Sequence, residues 1–579
     1  MITIAPASRS ILFFMLILSI TACSEPAATR ERKADGGKFY GGVFNVNEAE
    51  ELRGLFPLSL SQAASQRVAA LMYEGLTGFD QADLSIIPVL ATSWNIDPTS
   101  TIYTFEIRKG VRFHDDPCFP DGKGRELTAH DVVECFTAIC RAAPGNQMSW
   151  LFRGRVKGAD EYFEASAAGR KMAGVEGIEA VGDHSVRITL TAPSTNFLQV
   201  LAHQGCWIYP KEAVEHYGKE VLWRPVGTGA FRLRSHTTGE ALVMERHPSY
   251  WGADEHGNRL PFLDAIRYTF ANDKNRELEQ FEKGNLSMIY EVPVDRTAIL
   301  TEGRKKFQVQ SVPAYSVQFY GFNPKREPFN DVRVRKAFSM AIDKKLLVDS
   351  VLGGLAVPAD HGVVAPGFAD YPYATVIGNG HDPDRARKLL AEAGFPGGRG
   401  LPTIYLQVNS DGFGYIKIAG MVQSMLEKEL GARVVASVLP VKQHFERIAR
   451  GDVTFWREGW IVDHPDPENV LSLFHGKNVP ADASEPSYLN STRYKNEQFD
   501  SWFALAQRTT DHAKRMQLLA NAEKQLMQDA AVLPLYHERS VRILQPYVRD
   551  LPINAMEYRD LRKVWFDPRA RTDQAAPAI

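Results

Sequence analysis

Asp382-Pro383-Asp384-Arg385-Ala386-Arg387-Lys388-Leu389-Leu390-Ala391-Glu392-Ala393-Gly394 carries a full set of helix signals. Asp382 can cap the first free amides, Pro383 stands where a helix tolerates proline, and Gly394 offers a stop. A strand is predicted next, from Thr403 to Val408. It is followed by a helix from about Ile416 to Leu430, stopped by Gly431, and by a strand from Arg433 to Val438. Helices and strands alternating in this way predict an α/β unit, with helices laid against a sheet.

The same grammar extends outward. In Pro328-Phe329-Asn330-Asp331-Val332-Arg333-Val334-Arg335-Lys336-Ala337-Phe338-Ser339-Met340-Ala341-Ile342-Asp343, the apolar residues Val334, Ala337, Phe338, Ala341 and Ile342 share one helical face. Asp331 is placed to cap that helix. Downstream, Asp511 to Asp529 reads as a long helix and Val532 to His537 as a strand. Upstream, strands are predicted at Gly41 to Val46, Tyr103 to Arg108 and Leu263 to Ala271. Helices are predicted at Gln66 to Leu76, at Glu277 to Gly284, and at Thr128 to Ala142, the last with Thr128 and Asp131 as a capping box.

The chain has 579 residues, 44% hydrophobic and 23% charged, with formal charge −2. The length allows two or more units that each bury a core. Near-neutral charge argues against nucleic acid or an anionic membrane as the main partner. At the N-terminus, Arg9 precedes the apolar run Ile11 to Ile20, about half the roughly 20 residues that a spanning helix needs. It reads as the core of a signal peptide. Ile20-Thr21-Ala22-Cys23 resembles a bacterial lipobox, which implies cleavage before Cys23 and lipidation of its thiol. Ser24 to Lys38 reads as a flexible tether. Cys118, Cys135, Cys140 and Cys206 match no zinc spacing. Outside the cytoplasm a disulfide is open to them. Cys135 and Cys140 share a predicted helix and are poorly placed for each other, which leaves Cys118 or Cys206 for any bridge.

YEGL (Tyr73 to Leu76), PVLATSW (Pro88 to Trp94), YTFEIRKGVRFHDD (Tyr103 to Asp116) and LTAHDVV (Leu127 to Val133) follow one another in this order. Later come Pro225-Val226-Gly227-Thr228-Gly229-Ala230-Phe231 and Arg246-His247-Pro248-Ser249-Tyr250-Trp251. With the block at 328–343, they resemble family 5 of the bacterial extracellular solute-binding proteins, the receptors of peptide-type ABC importers. The match runs from about residue 40 to 566. It departs from the pattern at Ala230, at His247 and in a loop lengthened at 116–124. The glycines of 225–231 are read as serving tight turns through positive φ.

The resemblance implies an α/β, two-lobed periplasmic-binding-protein fold, class II-like and of cluster C, hinged between the lobes and with an extra subdomain in lobe I. The expected division is a lipoprotein signal peptide at 1–22 and a tether at 23–38. Lobe I follows at 39–269, with the inserted subdomain at about 60–200. Lobe II is expected at 270–537, a return to lobe I at 538–567 and a disordered tail at 568–579. The implied partners are a peptide or other small solute, and the ABC permease and ATPase subunits. Contact with the membrane is through the lipid on Cys23 alone, in the periplasm or at the cell surface, and a monomer is the family default.

Arg457-Glu458-Gly459-Trp460-Ile461-Val462-Asp463-His464-Pro465-Asp466-Pro467 reads as a turn-rich loop able to present an anion clamp, an apolar wall and a cation acceptor. The resemblance implies that Asp463 pairs with a peptide's α-ammonium, that Arg457 faces a ligand carboxylate, and that Gly459 and Trp460 belong to the same motif. Arg suits a carboxylate because its planar fork meets both oxygens. Asn323 and Tyr320 join this set, and Tyr315, Phe319 and Trp207 are looser candidates for cleft walls. No catalytic motif, metal spacing or cofactor motif is present. His114/Asp115 and His464/Asp466 are the pairs able in principle to do acid–base work. Two alternatives stand beside a peptide receptor: a receptor for an oligosaccharide, opine or metal chelate, and a lipoprotein of this fold acting in sensing or protein interaction.

Overall fold

The computed structural model describes residues 32–570 except 61, 294–295, 411–413 and 483. The signal peptide, Cys23, the start of the tether and the end of the tail lie outside the described residues. A first apolar core gathers around a four-stranded sheet ordered Phe231–Thr237, Ala241–Arg246, Ala265–Phe270, Val43–Glu48, the last pair parallel. The same core runs on into a second four-stranded sheet built from Ala91–Ile96, Ile102–Ile107, Ser185–Thr189 and Ile178–Ala180. The helix Ala129–Ile139 lies on it, opened by the Thr128/Asp131 capping box.

Glu74 ties the first core together. Its buried carboxylate accepts from Thr228 Oγ1 (2.9 Å), Tyr250 Oη (2.6 Å) and Trp251 Nε1 (2.9 Å), with Arg562 at 3.5 Å. Three separated motifs thus meet on one buried anion, and burial still holds its pKa above the usual carboxylate value. Gly227 and Gly229 are needed here for close approach, not for positive φ. A Cβ would lie 2.2 Å from Met72 O at Gly227, and 2.5 Å from the Met72 carbonyl carbon at Gly229.

The second part of the chain forms a mixed sheet ordered Met288–Tyr290, Val532–Leu544, Ser316–Phe322, Phe455–Ile461, Ile404–Asn409, Val434–Leu439. Ile404–Asn409 runs parallel to both of its neighbours. Helices Val332–Met340, Pro383–Glu392 and Tyr415–Leu430 cover one side; Glu497–Gln507 and His512–Gln528 pack with a separate cluster. Asp331, Asp382 and Asp511 cap as their side chains allow, accepting from Arg333 N, Arg385 N and Lys514 N.

The returning strand is longer than its sequence pattern indicates. It spans Val532–Leu544, roughly 43 Å at about 3.3 Å per residue. Leu533, Leu535 and Tyr536 sit in the second part's core, whereas Leu544 sits in the first. Tyr547, Val548, Leu551, Leu561, Val564, Trp565 and Phe566 then bury into the first core.

Other expectations need correction. The helix expected at Gln66 to Leu76 is Ala63–Ala69, because the chain turns to bring Glu74 inward. All four described cysteines are free. Cys135 and Cys206 are buried and donate to the carbonyls of Tyr209 and Val200. Residues 32–38 of the expected tether are folded: Arg32–Lys33 pairs with Phe39–Tyr40, and the ammonium of Lys38 lies within 3.4 Å of Asp254, Glu255 and Asp550. The expected tail begins with a short 3-10 turn, Pro568–Ala570.

Candidate ligand-binding site

The first half of the expected 457–467 loop is a strand. Phe455–Ile461 lies inside the mixed sheet, hydrogen-bonded to Ser316–Phe322 along its whole length. Tertiary pairing overrides the break expected at Gly459, since a glycine inside a sheet is tolerated where a neighbour needs room. That neighbour is Gln318, directly opposite; a Cβ on Gly459 would lie 2.2 Å from Gln318 Oε1.

The strand's period of two separates the candidate residues. Arg457 projects to one face with Tyr320, Gln318 and Tyr536, around a small cavity also lined by Tyr415 and Ile418. Its guanidinium donates to Gln318 Oε1 and, at 3.2 Å, to Asn409 Oδ1. The Tyr415 ring lies against the guanidinium, 3.6 Å from Cζ to the centroid. Gln318 in turn donates through Nε2 to Glu538 Oε1 (3.1 Å). The amide therefore bridges a cation and a carboxylate, which orients it. Burial pushes the Glu538 pKa up, against the pull of Arg457 and Gln318. Arg457 is only 8% exposed, and its Nε has no partner in the structure. Asn409 ends a parallel strand and Tyr415 begins the following helix. The cluster thus lies at the carboxyl ends of parallel strands, where open α/β sheets form crevices.

Trp460 projects to the other face, against the cluster of Tyr315, Val317 and Phe319. Asn469, a residue that sequence reading missed, organises this side. Its Oδ1 accepts from Trp460 Nε1 (2.7 Å) and Asp463 N (3.3 Å), and its Nδ2 donates to Asp463 Oδ2 (3.1 Å). Asp463 is exposed. His464 Nδ1 stands 3.5 Å from Asn469 Nδ2, and its buried Nε2 has no partner.

First-part residues reach this face. Phe79, Leu84 and Ala202 pack into the cluster that holds Tyr315 and Phe319. The His203 imidazole is pushed down to about 3 by burial and by the nearby His464. Beside Ala202 and Phe79 lies a cavity of about 50 Å³ walled by Tyr73, Trp207 and Tyr558, with Glu74 and Arg559 at its polar edge. Arg559 is buried, bonded to Glu48 at 3.1 Å and 3.5 Å from Glu557 through Nε, and its Nη2 has no hydrogen-bond partner.

Several sequence candidates are occupied in the fold. Asn323 donates to the carbonyls of Gly451 and Val453, both at 3.2 Å, and so holds a turn. Tyr320 is a core ring, 1% exposed and edge-on to Phe455, with its hydroxyl unpartnered beside Arg457. Tyr315 and Phe319 are core residues, whereas Trp207 is half-buried and lines the 50 Å³ cavity. Asp466 caps the helix Pro467–Leu471 and pairs with Arg515 at 2.6 Å, so it is no acid–base partner for His464. His114 is buried and bonds Gly229 O at 2.9 Å; burial holds its pKa at about 3. Asp115 pairs with Lys123 inside the 116–124 loop, which docks through Asp116 on Tyr217.

The pattern described as bacterial extracellular solute-binding proteins, family 5 Middle, matches residues 85–481. The periplasmic oligopeptide-binding protein OppA of Escherichia coli is 27% identical over 515 residues, covering 87% of this chain and 88% of that protein. The glutathione-binding protein GsiB of Pectobacterium atrosepticum is 29% identical over 501 residues, covering 84% and 87%. The periplasmic binding protein DppA of Helicobacter pylori, solved with the peptide STSA, superposes with a TM-score of 0.69 at 23% identity, over 91% of this chain and 98% of that one. This likeness identifies the architecture as the two-lobed one.

Proposed function

The chain belongs to family 5 of the bacterial extracellular solute-binding proteins, and on that premise we propose that it captures short peptides between its lobes and delivers them to an ABC permease. The observation that carries this reading is Asp463. It is an exposed carboxylate held by Asn469 beside the Trp460 indole, which packs on the cluster that Phe79, Leu84 and Ala202 enter from the first part of the chain. A peptide's α-ammonium is the natural partner for such a group. The relatives named for oligopeptides and glutathione take ligands that share a free amino end.

Arg457 is the candidate for the other end of the zwitterion. It is separated from Asp463 by four strand residues and Val462, at most about 20 Å of extended chain. Side-chain recognition falls to the aromatic cavity of Tyr73, Trp207 and Tyr558. Lipidation of Cys23 holds the protein at the membrane on the periplasmic or outer side; mass spectrometry of the mature N-terminus tests this.

A charge left in the cleft without its partner costs roughly 3–5 kcal/mol, and about 1.4 kcal/mol is tenfold in affinity. Calorimetry should find peptides with a free amino terminus bound at least ~100-fold more weakly by Asp463→Ala. Amino-terminal acetylation should weaken binding to the wild type similarly. Equal affinity of the wild type for free and acetylated peptides would overturn the ammonium assignment.

A further inference from the structure

Beside the first core lies a pocket of about 290 Å³ lined by Arg32, Tyr40, Arg246, His247, Pro248, Arg259 and Leu260. A single water needs only about 10–15 Å³ on this measure. Three guanidiniums converge there from separate stretches of chain. Arg32 and Arg246 flank the Tyr40 ring, with Cζ 5.6 and 5.1 Å from its centroid. Arg259 is exposed and donates to Pro248 O at 3.3 Å. Among the described residues, Asp264 is the one carboxylate paired with these arginines, at 3.3 Å from Arg32 and 3.9 Å from Arg246. Three cations against one anion leave two positive charges in excess. His247 is buried, and neither ring nitrogen has a hydrogen-bond partner.

We propose that this pocket binds the phosphate of an anionic lipid headgroup. Planar guanidiniums meet phosphate oxygens through paired, charge-assisted hydrogen bonds, and several converging forks suit a tetrahedral anion better than a single carboxylate. The position favours a lipid as the source. Arg32 stands nine residues after Cys23 in the sequence, a reach of about 30 Å for extended chain. Where Cys23 is acylated, the pocket is thus tethered within reach of headgroups. The choice of lipid rests on that anchor; the phosphate chemistry does not. The folding of 32–38 onto Asp254 and Asn258 fixes Arg32 in place.

The test uses the mature chain from residue 23 carrying Cys23→Ser, so that neither the apolar run of residues 11–20 nor an acyl chain contributes to membrane binding. It should float with phosphatidylglycerol vesicles and not with phosphatidylcholine vesicles. Arg32→Ala with Arg259→Ala should weaken the association at least about tenfold, since each cation near an anionic surface adds several-fold. Arg304→Ala with Arg399→Ala removes the same charge elsewhere on the surface and should change flotation little. Calorimetry with glycerol phosphate reads the pocket without a membrane. If glycerol phosphate binds with the same arginine dependence but vesicles do not, the phosphate chemistry stands and the lipid source is overturned. Wild-type flotation by the Arg32/Arg259 variant, or equal loss in the control variant, overturns the pocket. Peptide titrations on the same samples separate these outcomes from failure of the peptide reading.

Discussion

Glu523 lies on the helix His512–Gln528, whose Leu519, Ala522 and Leu526 are core residues, and is 1% exposed. Its carboxyl accepts from Val364 N at 2.8 Å and from the Tyr371 hydroxyl. No cation offsets its desolvation, so burial drives its pKa from 4.5 to about 7, against the weaker pull of those hydrogen bonds. In the unfolded chain the group ionises near 4.5; in the folded protein it keeps its proton until about 7. Between these values the folded state binds more protons, so stability falls as pH rises. The loss is about 2.5 pKa units at 1.36 kcal/mol each, or about 3 kcal/mol, complete a little above pH 7. Glu523→Gln keeps the shape and an acceptor for Val364 N but cannot ionise. Urea unfolding of both proteins from about pH 4.5 to about pH 8 isolates the effect from all other titrating groups. The stability of the glutamine variant relative to wild type should rise by about 3 kcal/mol across that range. A difference that stays constant with pH refutes the assignment of a buried, protonated carboxyl.

Gly459→Ala forces Gln318 away from Arg457, because the new Cβ meets the free end of the Gln318 amide. Peptide affinity in calorimetry should drop about tenfold while the thermal midpoint moves little. Asn469→Ala releases both Trp460 and Asp463, and should weaken peptide binding less than Asp463→Ala does. At Gly229 the new Cβ would meet the Met72 backbone instead, which cannot swing aside. Gly229→Ala should destabilise the protein by about 1–3 kcal/mol in denaturant unfolding, with cleft chemistry unchanged.

Local grammar carried much of the fold. Asp331, Asp382 and Asp511 cap in the structure because a short carboxylate beside free amides needs no distant partner. The apolar stripe of Val334, Ala337 and Phe338 is buried for the same local reason, being periodic. Less of the site was legible. The 457–467 stretch holds a glycine and two prolines, and composition alone favours a loop. Only the partner strand Ser316–Phe322 turns its first half into sheet. That pairing sends Arg457 and Trp460 to opposite faces, a separation that spacing shows only once a strand is known.

The identity of each charge was written in the chain; its employment was decided by what folded against it. Asp466 and Asp463 stand three residues apart with the same side chain. Arg515, forty-nine positions away from Asp466, neutralises it in the interior, while Asp463 is left exposed. Gln318, Glu538 and Asn409 surround Arg457 from three separate strands, which no local pattern announces. Caps and stripes depend on neighbours a turn apart. Desolvation and ion pairing depend on neighbours that only the closed sheet brings within a few ångströms.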